Sequence, residues 1–158
     1  MKQFSITRRA TLLLSVALLT ACASGVKLDD VNGKGGTDYS SQPWNDPKSP
    51  LFKRSVYFDF DSYAVKSEYQ ATLQAHANYL KANKDRKIKI EGNTDERGTT
   101  EYNLALGQRR SEAVRKSLSL LGVPDSQMEA VSFGKEKPKA QGSNEAAWQE
   151  NRRADIAY

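Results

Sequence analysis

Hydrophobic and polar residues alternate in two short stretches of the chain. In residues 56–61, Val56, Phe58 and Phe60 fall on one face, and residues 87–92 repeat the same two-residue period. Successive side chains of a β-strand point to opposite sides, so this period indicates a strand with one buried face. We therefore predict two half-buried strands in these stretches.

Between these strands the apolar positions recur every three to four residues. They are Val65, Tyr69, Leu73, His76, Ala77 and Leu80. This spacing places them on one side of an amphipathic helix. Ser67, three residues before Gln70, predicts a capping box at the start of that helix.

A longer helix is predicted after the second strand. Its apolar side consists of Leu106, Ala113, Val114, Leu118 and Leu121. Thr99 and Thr100 precede it, and threonine is a favourable residue at a helix N-cap. Gly122, followed by Pro124, is typical of a helix C-terminus, because glycine readily adopts the left-handed conformation required there.

Shorter strands and a short helix are predicted in the remainder of the chain. They are a strand at Met128–Phe133, a lysine-rich loop over residues 134–142, a short helix at Asn144–Asn151 and a last strand at Arg152–Tyr158. An open sheet with helices on one face accommodates this order. The predicted fold class is an α/β two-layer sandwich over residues 51–158, with a βαβαβ core, a short extra helix and a final strand.

The first 22 residues have the pattern of an export signal. Three basic residues precede an apolar run over residues 12–19, and Leu19-Thr20-Ala21-Cys22 follows. The run is shorter than the roughly 20 residues of a transmembrane helix, so we predict a signal peptide over residues 1–21 instead. The last four residues resemble the lipobox of bacterial lipoproteins, and this resemblance implies lipidation at Cys22.

Residues 22–50 are predicted to be the lipidated N-terminus and a flexible linker. Gly, Ser, Asn, Asp and Pro dominate this segment, and no apolar period persists in it. Ala23 and Ser24 follow the cysteine, and the resemblance to lipoproteins implies sorting to the outer membrane. Trp44 either docks on the folded domain or is solvated, and the sequence leaves both alternatives open.

Composition and charge exclude several kinds of site. The chain of 158 residues has one cysteine and one histidine, which excludes an intramolecular disulfide, a multi-cysteine zinc site and a multi-histidine metal site. The formal charge of +5 belongs largely to the predicted signal, whose removal leaves 21 Lys and Arg against 19 Asp and Glu, or +2. Binding to nucleic acid needs a clustered excess of cations, so no nucleic-acid partner is predicted.

Arg110 is the anomalous residue of the longer helix, because it lies in the apolar stripe between Leu106 and Val114. An unpaired charge there is costly, so we expect an acid or a ligand carboxylate to meet it. Asp95 is the expected neighbour, because it follows the second strand at the edge where open sheets bind ligands. Asp61 would reach the same edge if the first two strands were parallel and close together.

An acid and a deeply placed arginine, flanked by Phe60, are complementary to a small zwitterion. The acid would bind an ammonium group, and the planar guanidinium would bind a carboxylate. Glu96 and Arg97 are expected to face solvent.

Four motifs give the chain a specific resemblance. They are Val56-Tyr57-Phe58-Asp59-Phe60-Asp61, Glu91-Gly92-Asn93-Thr94-Asp95-Glu96-Arg97-Gly98-Thr99, Glu101-Tyr102-Asn103-Leu104-Ala105-Leu106-Gly107-Gln108-Arg109-Arg110 and Asn151-Arg152-Arg153. In this order they resemble the peptidoglycan-associated lipoproteins (Pal) of Gram-negative bacteria, whose domain is shared with the C-terminal domain of outer-membrane protein A. The resemblance covers the folded region and implies the OmpA-like fold.

The resemblance implies a non-enzymatic, lipid-anchored outer-membrane protein whose periplasmic domain binds peptidoglycan without a cofactor. Asp95 would bind the ammonium of diaminopimelate in the stem peptide, and Arg110 would bind its carboxylate. The other implied pocket residues are Phe60, Asp61, Arg97, Thr99, Asn103 and Leu106. The resemblance also implies a partnership with the periplasmic Tol proteins, chiefly TolB, in envelope integrity and cell division.

Three alternatives remain for the charged residues. A wall-cleaving enzyme would use Asp59 and Asp61 as acid and base, although both lie on one strand face and His76 lacks a relay partner. A Ca²⁺ site would use Asp59, Asp61 and Asp95, although the EF-hand pattern is absent. A purely structural lipoprotein would hold Arg110 in an internal salt bridge that braces the fold.

Overall fold

The structure is a computed structural model in which residues 42–158 are described. The predicted signal peptide (residues 1–21), the predicted lipidation site Cys22 and most of the predicted linker lie outside the described residues. The strands are β1 (Ser55–Tyr57), β2 (Ile88–Asn93), β3 (Met128–Gly134) and β4 (Arg153–Ala157), and the helices are α1 (Gln70–Ala82), α2 (Thr100–Leu120) and α3 (Glu145–Asn151). In this part of the chain, no helix is both long and apolar enough to cross a lipid bilayer.

The four strands form one mixed sheet in the order β1-β4-β2-β3. β4 pairs antiparallel with β1 and β2, and β2 pairs parallel with β3. α2 packs on β2 and β3, and α1 packs against α2, which confirms the predicted α/β two-layer sandwich. The condition named for Asp61, that the first two strands lie parallel and close together, is not met, because the final strand of the chain inserts between them.

The hydrophobic core lies between the sheet and the two longer helices. Its side chains are Val56, Phe58, Leu73, Ala77, Leu80, Ile88, Ile90, Val114, Leu118, Val123, Met128, Ala154 and Ile156. Ile88 and Ile90 of β2 are buried while Lys89 between them is exposed, as the two-residue period predicts. Each buried aliphatic side chain contributes about 1.5–3 kcal/mol, so the core fixes both helices against the sheet.

The first strand is shorter than predicted. β1 ends at Tyr57, while Val56 and Phe58 are buried as predicted. The chain then turns, and Asp61 adopts the left-handed region with φ 53°. Phe60 is 63% exposed, so the prediction that it shares the buried strand face is wrong, because the turn removes it from the strand.

The ends of α2 confirm the sequence prediction. Thr99 Oγ1 accepts a hydrogen bond from the Tyr102 N–H at 3.2 Å, and Gly122 beyond the helix has φ 90°. The capping box predicted for α1 is wrong. Ser67 begins a 3₁₀ turn that leads into the helix, and Tyr69, the residue before α1, makes no side-chain cap.

Two glycines allow α2 to lie directly on β2. A Cβ atom at Gly92 would lie 1.8 Å from Gly107 O, and a Cβ atom at Gly107 would lie 2.8 Å from Gly92 O. The two backbones therefore approach where no side chain fits. Arg110 lies about one helical turn beyond Gly107, so this close approach brings its side chain to the end of β2.

Trp44 docks on the folded domain, which decides between the two alternatives for this residue. Its ring stacks on Tyr158 with centroids 4.2 Å apart and meets Tyr79 edge-on at 5.8 Å. The Arg86 guanidinium lies 5.0 Å from the centre of the indole. These contacts leave Trp44 only 4% exposed.

His76 is buried beside this aromatic cluster and has a partner on each ring nitrogen. Nε2 lies 2.9 Å from Lys53 O, and Nδ1 lies 2.7 Å from the Tyr158 hydroxyl. A carbonyl can only accept, so Nε2 carries the proton and Nδ1 accepts from the Tyr158 hydroxyl. Burial lowers the pKa of His76 below its ordinary value, which favours this neutral, structural ring.

Gly92→Ala is expected to lower the free energy of unfolding by about 3 kcal/mol or more, because the added methyl group meets backbone atoms. Urea denaturation measures this loss. Gly98→Ala is the control, since Gly98 has φ 92° but a Cβ atom there meets nothing closer than 3.5 Å. Backbone strain alone should cost about 1–2 kcal/mol in the control, and equal losses in both variants would contradict the close-contact explanation.

Domain stability is expected to fall as the pH drops below about 6.5, the ordinary pKa of histidine. The unfolded chain takes up a proton at His76 in this range while the folded chain resists it, so protonation favours unfolding. Denaturation curves at about pH 7.5 and pH 5.5 measure the difference in stability. In His76→Gln, whose amide preserves a donor and an acceptor, the difference should shrink, and an unchanged difference would assign the effect to other groups.

Candidate functional site

A cavity of about 240 Å³ lies where the end of β2 meets the start of α2 and the turn after β1. Its walls are Phe60, Asp61, Thr94, Asp95, Arg97, Gly98, Tyr102, Asn103, Leu106 and Arg110. Seven of the eight predicted pocket residues are therefore brought together, and Thr99 is the exception because its hydroxyl caps α2. Sequence reasoning misses Thr94, Gly98 and Tyr102, although all three lie within the quoted motifs.

Asp95 lies two residues beyond β2 and is buried. Its Oδ1 accepts from the Arg97 backbone N–H at 3.1 Å and from Arg97 Nε at 3.2 Å. Its Oδ2 accepts from Arg97 Nη2 at 2.6 Å and from Arg152 Nη1 at 3.3 Å. Burial opposes the charge, but these hydrogen bonds outweigh burial and hold the pKa of Asp95 below its ordinary value. The carboxylate is therefore ionised at neutral pH.

Arg97 lies against Asp95, so the expectation that it faces solvent is wrong. Its guanidinium lies between two rings, 4.3 Å from the centre of Phe60 and 4.1 Å from the centre of Trp148. Cation–π contacts at exposed sites contribute about 0.5–1 kcal/mol each. Trp148 Nε1 also donates to Glu96 Oε1 at 3.0 Å, and Glu96 is exposed as expected. Trp148 comes from α3, far along the chain, so no local pattern indicates its role.

Arg110 forms the floor of the cavity and is 0% exposed. Nε donates to Ser62 O at 2.8 Å, Nη1 to Asn93 O at 2.8 Å and Nη2 to Asp59 O at 3.2 Å. Burial lowers the pKa of Arg110 to about 10, although the Asp95 charge opposes this shift. The guanidinium therefore remains charged at neutral pH, with three of its five N–H groups bound to backbone carbonyls.

The partners of Arg110 correct the sequence-based expectation. Within residues 42–158 Arg110 takes part in no ion pair. Backbone carbonyls bind it instead of an acid, which was one of its two expected partners, and the ligand carboxylate, the other one, stays a prediction. The Asp95 charge acts on Arg110 through space. The internal Arg–Asp salt bridge of the structural alternative is therefore not formed, because the carbonyls at the end of β2 and in the turn after β1 already surround the guanidinium.

Arg152 is a buried part of the site whose role sequence reasoning misses. Besides Asp95, it binds Glu145 Oε1 through Nη2 at 2.5 Å and Phe58 O through Nε at 3.3 Å. It lies between α3 and β4, so it links the last strand to the loop after β2. Its place in the Asn151-Arg152-Arg153 motif is the only sequence signal, and that motif gives no partner.

Asp61 reaches the cavity although β1 and β2 are not neighbours, because the turn after β1 carries it there. The Tyr102 hydroxyl donates to Asp61 Oδ1, and this bond raises the pKa of Tyr102. Asn103 Nδ2 donates to Arg97 O at 2.8 Å and to Thr99 O at 3.0 Å. The loop between β2 and α2 is therefore fixed from within.

The cavity combines opposite charges with an apolar wall. Asp61 and Asp95 supply negative charge, Arg97 and Arg110 supply positive charge, and Leu106 lies beside them. Such a site suits a small molecule that carries both an ammonium group and a carboxylate. A general acid needs a carboxyl pKa raised toward neutrality, whereas the pKa of Asp95 is lowered.

Asp59, the other acid of the enzymatic and calcium alternatives, is not part of the cavity wall. Its carboxylate is exposed and pairs with Lys66 Nζ at 2.7 Å. Its backbone carbonyl instead accepts from Arg110. Of the described residues, no group of three acidic, histidine or cysteine side chains could hold a metal ion.

Known proteins are similar to this chain in sequence and in fold. A sequence profile of the OmpA family matches residues 57–152. The chain belongs to the OmpA family. Within that family, the peptidoglycan-associated lipoprotein of Pasteurella multocida is 48% identical over 144 residues, which cover 91% of this chain and 92% of that protein. The peptidoglycan-associated lipoprotein of Haemophilus influenzae is 45% identical over 152 residues, with coverage of 91% and 92%.

Solved structures agree with the fold. The crystal structure of the peptidoglycan-associated lipoprotein from Burkholderia pseudomallei has a TM-score of 0.72 and 70% identity, covering 74% of this chain and 99% of that one. The C-terminal domain of MotB from Helicobacter pylori has a TM-score of 0.60 at 23% identity, covering 65% and 81%, and shares the fold alone. The resemblance to the peptidoglycan-associated lipoproteins is therefore confirmed. OmpA-like domains are not enzymes, so the prediction of a non-enzymatic protein is confirmed as well.

Arg110→Leu is expected to lower the free energy of unfolding by about 3 kcal/mol or more, because three buried carbonyl groups lose their donor. Arg110→Lys keeps the charge but not the planar fork, so we expect a smaller loss of about 2 kcal/mol. Urea denaturation measures both losses. The exposed neighbour Arg109, replaced by Leu, should lose about 1 kcal/mol or less, because its guanidinium contacts only the rings of Tyr63 and Tyr102 at 5.6 and 6.0 Å. A loss in Arg110→Leu no larger than this control would contradict the bracing role.

Proposed function

We propose that this protein is an outer-membrane lipoprotein that binds peptidoglycan non-covalently, through the diaminopimelate of the stem peptide. It tethers the outer membrane to the cell wall as part of the Tol-Pal system, in envelope integrity and cell division. Relatives named peptidoglycan-associated lipoprotein support the choice of ligand. TolB, the chief protein partner in this proposal, follows from the family resemblance alone.

The observation that carries the proposal is the joint placement of Asp95 and Arg110 in one small cavity. Diaminopimelate bears an ammonium group and a carboxylate on the same terminal carbon of its side chain, so it presents both charges to one site. Asp95 takes the ammonium. Arg110 takes the carboxylate, through N–H groups that do not bind backbone carbonyls.

The remaining walls support these two contacts in different ways. Asp61 adds a second negative charge beside the ammonium, while Phe60 and Leu106 pack against the methylene groups of the ligand. Asn103 keeps the loop after β2 in place through its two carbonyl contacts. Thr99 acts indirectly, since its hydroxyl caps the helix that carries Arg110.

Membrane attachment in this proposal depends on Cys22, after removal of residues 1–21. One acyl chain holds a protein only marginally at a membrane, so stable anchoring needs more than one chain. The family pattern of a diacylglyceryl thioether with an N-acyl group meets this need. Residues 22–50 then connect the outer membrane to the peptidoglycan-binding domain, which lies over residues 51–158 in the periplasm, and Trp44 docks this connection on the domain.

Asp95→Asn is expected to weaken binding of a diaminopimelate-containing stem peptide by about 10- to 150-fold. This factor corresponds to the loss of one hydrogen bond to a charged group. Isothermal titration calorimetry measures the affinity on the mature chain, with Cys22→Ser to prevent acylation. Arg110→Lys retains the charge without the bidentate fork and should cost about tenfold. We prefer it to Arg110→Leu, which is expected to disturb the fold.

Asp125→Asn is the matched control, because it removes the same charge from an exposed residue outside the cavity. It should bind like the wild type. A stem peptide with lysine in place of diaminopimelate lacks the extra carboxylate and should bind more weakly to the wild type. Equal binding of the diaminopimelate peptide by folded Asp95→Asn would show that the site is assigned wrongly, and no binding by the wild type would refute the proposed function.

A further inference from the structure

The Asp95 carboxylate is already saturated with hydrogen-bond donors. A carboxylate offers about four acceptor positions on its two oxygens. The backbone N–H, Nε and Nη2 of Arg97 and the Nη1 of Arg152 bind to them. A ligand ammonium finds no acceptor position left, so one of these donors has to leave before the ammonium binds to Asp95.

The Arg97 side chain is the donor that is able to leave. It is 33% exposed, whereas the Arg152 side chain is 6% exposed. Arg152 is also held from its other side by Glu145 Oε1 at 2.5 Å and Phe58 O at 3.3 Å. The Arg97 guanidinium instead lies between two aromatic rings that hold it by its faces, which leaves its N–H edge free to part from the carboxylate.

We infer that Arg97 is an exchangeable occupant of the site, whose guanidinium binds Asp95 in the free protein and is displaced by the ammonium of the ligand. This inference rests on the proposed function, in which an ammonium group binds to Asp95. The rings of Phe60 and Trp148 keep the displaced guanidinium at the rim of the cavity. Binding at the acidic half of the site is then an exchange of one cation for another.

This exchange makes Arg97 a specificity-determining residue. A simple amine has to displace the guanidinium from the same carboxylate, and this competition reduces the affinity that Asp95 alone can give it. A ligand that also brings a carboxylate for Arg110 gains a second contact that Arg97 does not oppose. Competition by the Arg97 guanidinium therefore lowers the affinity for simple amines more than the affinity for zwitterions.

The NMR signal of the Arg97 Nε–H group tests this inference, and its absence in Arg97→Gln identifies it. Titration of the mature Cys22→Ser chain with the diaminopimelate stem peptide should shift this signal and speed its exchange with water. An unchanged signal at saturating peptide would overturn the inference and leave the proposed function intact. No binding by the wild-type chain would overturn the proposed function and this inference with it.

Affinity gives an independent test. Arg97→Gln should bind the peptide more tightly, by up to about fivefold for a partly exposed ion pair, because no cation has to be displaced. Arg115→Gln is the matched control, since Arg115 is 35% exposed and pairs with Glu112 at 2.7 Å outside the cavity. It should bind like the wild type. Unchanged or weaker binding by Arg97→Gln would overturn the inference. If this variant does not fold, the NMR titration of the wild-type chain decides, with the signal identified by its absence in Arg97→Lys.

Discussion

A guanidinium buried among backbone carbonyls holds together the three chain segments that form the cavity. Arg110 reaches from α2 to Asp59 O and Ser62 O in the turn after β1, and to Asn93 O at the end of β2. A charge at this depth has to be solvated by the protein itself, so all three segments must keep their carbonyls directed at it. The close approach of the two glycines sets the distance between helix and strand that makes this possible.

The acidic half of the cavity is built from more distant parts of the chain. Arg152 brings β4 and the start of α3 to Asp95 through its bonds to both Asp95 and Glu145. Two charges of the site therefore have partners before any ligand arrives: backbone carbonyls bind Arg110, and two arginines bind Asp95. Hydrogen-bonded networks of this kind hold their members rigidly. In the proposed function a ligand then exchanges partners at Asp95, whereas at Arg110 it meets the N–H groups that bind no carbonyl.

Local sequence patterns predicted the features that neighbouring residues determine. The ends of α2, the buried face of β2 and the place of Arg110 in an apolar stripe follow from cap residues and periods, which depend on a few adjacent positions. The exposure of Phe60 depends on a turn that interrupts the strand period. The contacts of Arg97 with Trp148 and of Asp95 with Arg152 join segments far apart in the chain, and no local period encodes such pairs.

The stack of Trp44 on Tyr158 has a mechanical consequence. Tension that arrives along the chain from its N-terminal side reaches this ring pair before it reaches β1, the three-residue edge strand. Detaching the ring would lose the burial of an indole that is 4% exposed, in addition to the roughly 0.5–1.5 kcal/mol of the aromatic pair itself. The stack therefore joins the segment before β1 to Tyr158, the residue that follows β4, so a pull on this segment acts on both ends of the β1–β4 pair.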